Sequence, residues 1–331
     1  MKDRKKWIDI LRAISMILVV FGHSVPQKAW FFHVVTPLKI PMFFAITGYV
    51  FNDCDGKIGK FLKKILFRLV IPWISLGVIL QIPALVTGGI GAFGRKCLGV
   101  LDGKLFWYMP CCIIAEIIWF FALKATKKWQ YLTALSAGLF AGGYLLNTCA
   151  PELLIVNCAL TCVFYISLGH TYRALEERIK KIKTGGVAAF AVLYVAVTTL
   201  SFFFNDRRSM DVHILKYPHL WYAIPTIALG IFVMFSVFGR LRLDNERLFS
   251  FIGKNTLVIY LTHGAFLEVF AKLLKIAELT KMNIWIRGPL ATVFALAGTL
   301  VLAMIIDKIC PVLSGKGKQN ITKCDKRGKL K

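Results

Sequence analysis

Acidic residues are scarce: the 331-residue chain holds 17 Asp and Glu against 42 Lys and Arg, a net charge of +25. In a soluble protein that balance would suggest nucleic acid as a partner. No basic patch interleaved with aromatics is present, however, and the cations lie between apolar runs, which argues against nucleic acid. Strict apolar–polar alternation in segments of about ten residues is also missing, and with it the signature of a membrane-spanning barrel. The nine cysteines lack metal-ligand spacing. Cys111 and Cys112 are adjacent and Cys158 and Cys162 four apart, so no metal is expected and small buried apolar residues is the plain reading. No small-residue cleavage site follows the basic start and first apolar run, so that run is expected to remain as a first helix. No internal repeat and no appended soluble domain are visible.

Long hydrophobic runs fill the chain instead, at 57% apolar residues. Runs of about 20 residues suit helices that cross a bilayer, where only helices and closed barrels satisfy their own backbone groups. The expectation is an all-α, polytopic membrane helix bundle of about ten transmembrane helices. They fall near 7–25, 34–52, 66–87, 105–123, 130–148, 152–172, 185–204, 219–239, 250–271 and 286–309. Residues 88–104, "GGIGAFGRKCLGVLDGK", read as a Gly-rich connection. One integral membrane domain is expected over 1–313, followed by a basic tail, 314–331, of disordered composition. With a cytoplasmic N-terminus, 26 Lys and Arg fall in or next to cytoplasmic loops and ten on the other side. The positive-inside rule then places both termini in the cytoplasm.

The first apolar run, "DILRAISMILVVFGHS", holds an aspartate, an arginine and a histidine. Arg12 and His23 are eleven residues apart, about three turns plus 20° at ~100° per residue, so they share a helix face about 16 Å apart. Asp9 lies one turn before Arg12, within pairing reach. Charged groups inside a bilayer face a bundle interior or a wet cavity. The plain alternative is that Arg12 snorkels to the headgroups and His23 sits in the outer interface; spacing alone leaves the two readings even.

An arginine, ten residues and a histidine in a first membrane helix resembles the membrane-bound acyltransferase 3 family, which includes O-acetylases of bacterial surface polysaccharides. The resemblance continues in order. "PMFFAITGYVF", 41–51, is similar to the family's Phe-Phe-x-x-Ser-Gly-Tyr/Phe stretch, with Thr47 in place of Ser. "FLKKILFRLVIPW", 61–73, resembles its Arg-x-x-Arg-Leu-x-x-Pro segment; Arg68 matches the second arginine, while Ile65 replaces the first and Lys63 and Lys64 stand nearby. "LFWYMP", 105–110, and "FSFIGKNTLVIYLTH", 249–263, resemble the Trp-Phe/Tyr-Leu element and the closing Gly-Lys-Asn-Ser-Leu-x-Ile-Tyr-x-x-His stretch. The sugar O-acetylase branch, with its fucose acetylase-like proteins, is the nearest in pattern.

The resemblance implies an O-acyltransferase of the bacterial cytoplasmic membrane. Its acyl donor is cytoplasmic acetyl-CoA and its acceptor a carbohydrate or a lipid-linked glycan. Arg12, Arg68 and Lys64 are expected to hold the anionic end of coenzyme A, since guanidinium groups fork onto phosphate. His23 is expected to act as general base, with a covalent acyl-histidine as the other option. His263 is a candidate second histidine. Asp9, Glu116, Tyr260 and His33 are candidate substrate contacts. Asn255 reads as a helix cap or cross-link; His170, His213 and His219 lie near span ends, where a solvated histidine is the default. The rival class is a transporter or flippase for a glycolipid, which several membrane prolines fit and the lack of an inverted repeat opposes. The identity of the acceptor, the acyl group and the oligomeric state are open at this level.

Overall fold

The computed structural model describes residues 5–26, 30–204, 210–217, 219–241 and 246–316. Among them there is no strand, only an isolated bridge between Asp211 and Lys216. The helices are α1 (Lys6–Ser24), α2 (Trp30–Val35), α3 (Ile40–Tyr49), α4 (Ile58–Ile65), α5 (Ile71–Ile79), α6 (Ile82–Leu101) and α7 (Tyr108–Ala125). They continue with α8 (Trp129–Cys149), α9 (Leu154–Lys180), α10 (Thr184–Phe204), α11 (Leu220–Phe238), α12 (Arg247–Lys254), α13 (Thr256–Ile276) and α14 (Ile284–Ile309). The protein is therefore the all-α polytopic bundle that the apolar runs predict. Nine helical stretches in the described residues are long and apolar enough to cross a membrane, counting α2 through α3 as one. The 21-residue α8 matches the expected span at 130–148 in length, but its Thr, Ser, Gly and Asn content leaves it less apolar than those nine.

One reading needs correction. The Gly-rich stretch 88–104 is not an open connection: α6 runs through most of it. The expected third span, 66–87, instead divides at Leu80–Gln81 between α5 and α6. Glycine weakens a helix in water, but in an apolar surrounding the helix is the local way to satisfy the backbone. The glycines still leave a mark, because Gly89 takes φ 69° and kinks α6.

The chain divides into two compact units. The first comprises residues up to Asp53 and Ile114–Lys254; the second comprises Cys54–Ile113 and the residues from Asn255 onward. The α7 helix begins in the second and ends in the first.

Close backbone contacts hold the first unit together. A Cβ on Gly48 of α3 would lie 1.8 Å from the Ile166 carbonyl oxygen of α9, and one on Gly169 of α9 would lie 1.7 Å from the Ala45 carbonyl oxygen of α3. Only glycine permits such an approach, the usual device of membrane helix packing. Between α8 and α9 the seam is small and polar: Ser136 donates to Ser167 at 2.7 Å, and the Thr133 and Thr171 hydroxyls meet at 2.9 Å. Lys5 donates to the Tyr49 hydroxyl and, at 2.8 Å, to Glu176; Tyr49 donates to Glu176 at 2.7 Å. Lys127 pairs with Asp53 at 2.9 Å, and Arg240 donates to the Ile179 carbonyl at 2.9 Å. The start of α1 and the ends of α3, α7, α9 and α11 thus share one basic end of the unit. At the other end Trp30 donates to Thr199 at 3.0 Å, tying α2 to α10.

The second unit is built on a cluster of Trp73, Leu76, Val100, Met109, Val258, Leu261, Ala303 and Ile306. Gly77 faces Val100, returning the far arm of α6 to α5. The final 3-10 turn, Pro311–Ser314, leads to Lys316, whose ammonium bonds Asp307 at 2.5 Å and Asn255 at 2.6 Å. Asn255 thus cross-links the start of α13 to the end of α14, the structural part its position suggests. Of the tail expected at 314–331, residues 317–331 lie outside the described residues.

Candidate active site

Within the first unit α1 is continuous over 19 residues. Its regularity keeps Arg12 and His23 on one face, about 16 Å apart along the axis at 1.5 Å per residue. Asp9, 2% exposed, is buried one turn before Arg12. Its Oδ1 lies 3.5 Å from Arg12 Nη1, and the Arg12 side chain is half-buried. The burial of Asp9 has a visible origin. A Cβ on Gly253 of α12 would sit 1.9 Å from the Asp9 carbonyl oxygen, so α12 presses directly on the α1 backbone there. The glycine that opens the Gly-Lys-Asn stretch therefore sets the turn that carries Asp9 and Arg12. His23 stands in the last turn of α1 with its side chain exposed.

His33 is buried, its ring 5.1 Å from that of Phe202 in an edge contact. Lys39, six residues further on, is also buried, with its ammonium 5.6 Å over the Phe32 ring. Glu116 is 1% exposed, in the middle of α7. These three are in the same unit as Arg12, at separate places along its helices.

The second unit holds the other candidates. Arg68 lies in a π-helical turn, Leu66–Val70, between α4 and α5. Pro72 follows four residues later and has no N–H for the Arg68 carbonyl, so the α-helical ladder fails at that point. Ile71 N–H reaches back to Leu66 O instead, closing the wider turn. Such turns re-aim side chains and recur at functional sites. Gly315, at φ 74°, approaches the same Arg68 carbonyl: a Cβ there would be 2.7 Å away. Lys64, half-buried in the last turn of α4, sits 5.9 Å over the Phe61 ring.

The two remaining candidates lie on α13. His263, buried, directs Nδ1 at the Ile259 carbonyl (3.1 Å) and the Tyr260 carbonyl (2.8 Å). Two carbonyls can only accept, so the neutral ring keeps its proton on Nδ1 and its basic lone pair on Nε2. Tyr260 is packed between rings: Tyr108 at 5.3 Å and His263 at 6.2 Å. Its hydroxyl accepts from the Tyr108 N–H at 3.3 Å. The structure thus joins "LFWYMP" to "IYLTH" through Tyr108 and Tyr260, a pairing with a sequence separation of 152 that spacing could not reveal.

A family model described as an acyltransferase domain, that of the acyltransferase 3 family, matches residues 5–308. The chain belongs to that family. No curated protein and no solved structure matches it. This membrane acyltransferase contains every motif described above within the matched region, from Asp9 to His263. Sequence reasoning paired Asp9 with Arg12 and the structure does the same. It missed the Lys5–Tyr49–Glu176 group, whose members are up to 171 residues apart. The one available signal was Tyr49, which closes the Phe-Phe-x-x-Thr-Gly-Tyr stretch.

Proposed function

We propose that this acyltransferase moves an acyl group, acetyl by family resemblance, from cytoplasmic acyl-CoA to a hydroxyl of a surface carbohydrate or its lipid-linked precursor. It does so in a bacterial cytoplasmic membrane, with both termini in the cytoplasm. The observation that carries the reading is the unbroken α1, with Arg12 beside a buried Asp9 toward the basic end and His23 in the opposite end turn. A thin acyl-pantetheine arm needs a cation at one end for its phosphates and a base at the far end of its reach. Arg12, oriented by Asp9, supplies the first and His23 the second; Arg68 and Lys64, which the family resemblance assigns to the donor, are proposed donor contacts on the strength of that resemblance alone.

In the transfer, the acceptor hydroxyl oxygen attacks the thioester carbonyl carbon and His23 takes the hydroxyl proton. The carbon–sulfur bond breaks, and the departing thiolate takes up a proton to leave as free coenzyme A. His263, with Nε2 as its basic nitrogen, is proposed as the second histidine of the reaction from the family resemblance. Tyr260 fixes the turn that holds it, and Glu116 and His33 are proposed acceptor contacts. The test uses purified protein in lipid with radiolabelled acetyl-CoA and candidate glycans. Wild type should release coenzyme A only with acceptor present, and His23→Ala should lower turnover by about 10²–10⁴, the span of a lost general base. Full turnover by that variant would remove His23 from the chemistry.

A further inference from the structure

Nothing in the transfer chemistry uses the tyrosine of the Phe-Phe-x-x-Thr-Gly-Tyr stretch. Tyr49 closes α3 at the basic end of the first unit. Its hydroxyl accepts from Lys5 and donates to Glu176 Oε2 at 2.7 Å. Lys5 completes the ring, donating to Glu176 Oε1 at 2.8 Å and Oε2 at 3.1 Å. Lys180 adds its ammonium 3.4 Å from Oε1. The Glu176 side chain is only 18% exposed, so this is a half-sheltered network and not one of the solvated ion pairs that contribute little.

Lys5 is the N-cap of α1, the end at which a helix dipole disfavours a cation. Its place there is held by Tyr49 and Glu176 and not by the helix. Trp7, in the first turn, packs edge-on against Tyr49 at 5.2 Å and Phe235 at 5.4 Å. The foot of α1 is thus gripped by α3, α9 and α11 together.

Seven residues separate Lys5 from Arg12, two turns less about 20° at ~100° per residue. Lys5 therefore continues the face of Arg12 and His23 toward the basic end, about 10.5 Å below Arg12. A grip on that face controls the rotation of the rod. A side-chain head about 6 Å from the axis moves about 2 Å for a turn of 20°, and misplacement of about 1 Å is enough to spoil a well-oriented contact. The Gly253 contact at Asp9 fixes how near α12 comes, but a single backbone point leaves rotation about it open.

We propose that Tyr49 and Glu176 are positioning residues: through Lys5 they set the rotation of α1, and with it the place of Arg12 in the donor site. The effect on the donor rests on the proposed role of Arg12; the clamp itself does not.

The experiment uses the full-length protein in lipid nanodiscs, with two readouts. Amide exchange over residues 6–12 reports the clamp. Titration with a non-hydrolysable acetyl-CoA analogue reports the donor site. Tyr49→Phe keeps the ring and loses the hydroxyl; Glu176→Gln loses the charge. Both should speed exchange over that segment several-fold and raise Kd for the analogue about five- to tenfold, the scale of a displaced contact. Joining Lys5→Glu to Glu176→Lys should bring both readouts back toward wild type, which neither change alone does. In an Arg12→Ala background Tyr49→Phe should raise Kd no further, because changes acting through one group are non-additive. Tyr217→Phe, which removes a hydroxyl bonded to Tyr165 in the same unit, should leave Kd unchanged. Unchanged exchange in Tyr49→Phe and Glu176→Gln would overturn the proposal. So would faster exchange with an unaltered Kd where Arg12→Ala does weaken binding, or a Kd rise that Tyr217→Phe reproduces. Faster exchange, with a Kd that Arg12→Ala leaves unaltered, would sink the donor reading of Arg12 and leave the clamp standing.

Discussion

Arg12 shows how a neighbour one helical turn away can orient a side chain. Its guanidinium nitrogen lies 3.5 Å from the Asp9 carboxylate. Asp9 therefore helps to set the direction of a planar group whose geometry suits a phosphate. Arg12→Lys should keep the charge but lose bidentate phosphate geometry. The expected outcome is a rise of about tenfold or more in KM for acyl-CoA with kcat little changed, and Arg12→Ala should weaken donor binding further. Titration of purified protein with a non-hydrolysable acyl-CoA checks both, and unchanged affinity would remove the arginine from donor binding. The pairing of Asp9 with Arg12 was legible because helical spacing is local. The near-complete burial of Asp9 was not, since it depends on Gly253, far along the chain.

At the level of helices, glycine decides which rods touch. Gly253 lets α12 meet the backbone of α1, and any side chain there must push the two apart. Overpacking of this kind costs about 1–3 kcal/mol and sometimes more. Gly253→Val should therefore lower the melting temperature measurably and raise KM for acyl-CoA through the displaced Arg12 turn. A stability loss with an unaltered KM would separate α12 packing from donor binding. The motif glycines were visible as residues, but the helices they join were not. The π turn at Arg68 was hidden for a similar reason. Pro72 announces a break, yet whether the chain kinks, ends or widens depends on Ile71 N–H finding Leu66 O. Restoring the donor with Pro72→Ala should let an α-helical turn form, re-aim Arg68 and weaken acyl-CoA binding; unchanged binding would deny the turn that function. The kinked α6 was the opposite case. Its glycines read as loop by aqueous rules, whereas apolar surroundings favour the helix. Outside the spans, burial pushes the Tyr217 phenol far up, so it stays protonated in its 2.7 Å bond with Tyr165. Tyr217→Phe should cost about 1 kcal/mol, the net worth of one hydrogen bond, in thermal unfolding without loss of transfer activity.

For the whole molecule, charge asymmetry and helix order make one prediction together. The basic end of the first unit gathers Lys5, Lys127, Arg173 and Arg240 with the ends of four helices and the start of α1. If that end is cytoplasmic, cysteine placed at Lys127 in a cysteine-depleted background should be shielded from an impermeant maleimide in intact cells. Cysteine at Lys216 should react. The reverse labelling would invert the orientation and take the donor site away from cytoplasmic acyl-CoA. The bundle class and most spans were legible from hydropathy, because a bilayer imposes length and apolarity on each rod separately. Division into two units was not, since it depends on contacts between stretches as distant as residues 77 and 100, or 255 and 316.

The reciprocal glycine contacts between α3 and α9 carry one more consequence. Ala45 and Gly48 on one rod key into Ile166 and Gly169 on the other, carbonyl against α-carbon at both points. Two such teeth, three residues apart on each rod, block sliding along the common axis in either direction. The pair behaves as a single spar, so any rearrangement that admits donor or releases product must take place around it, and amide exchange should find its paired segments among the slowest in the protein.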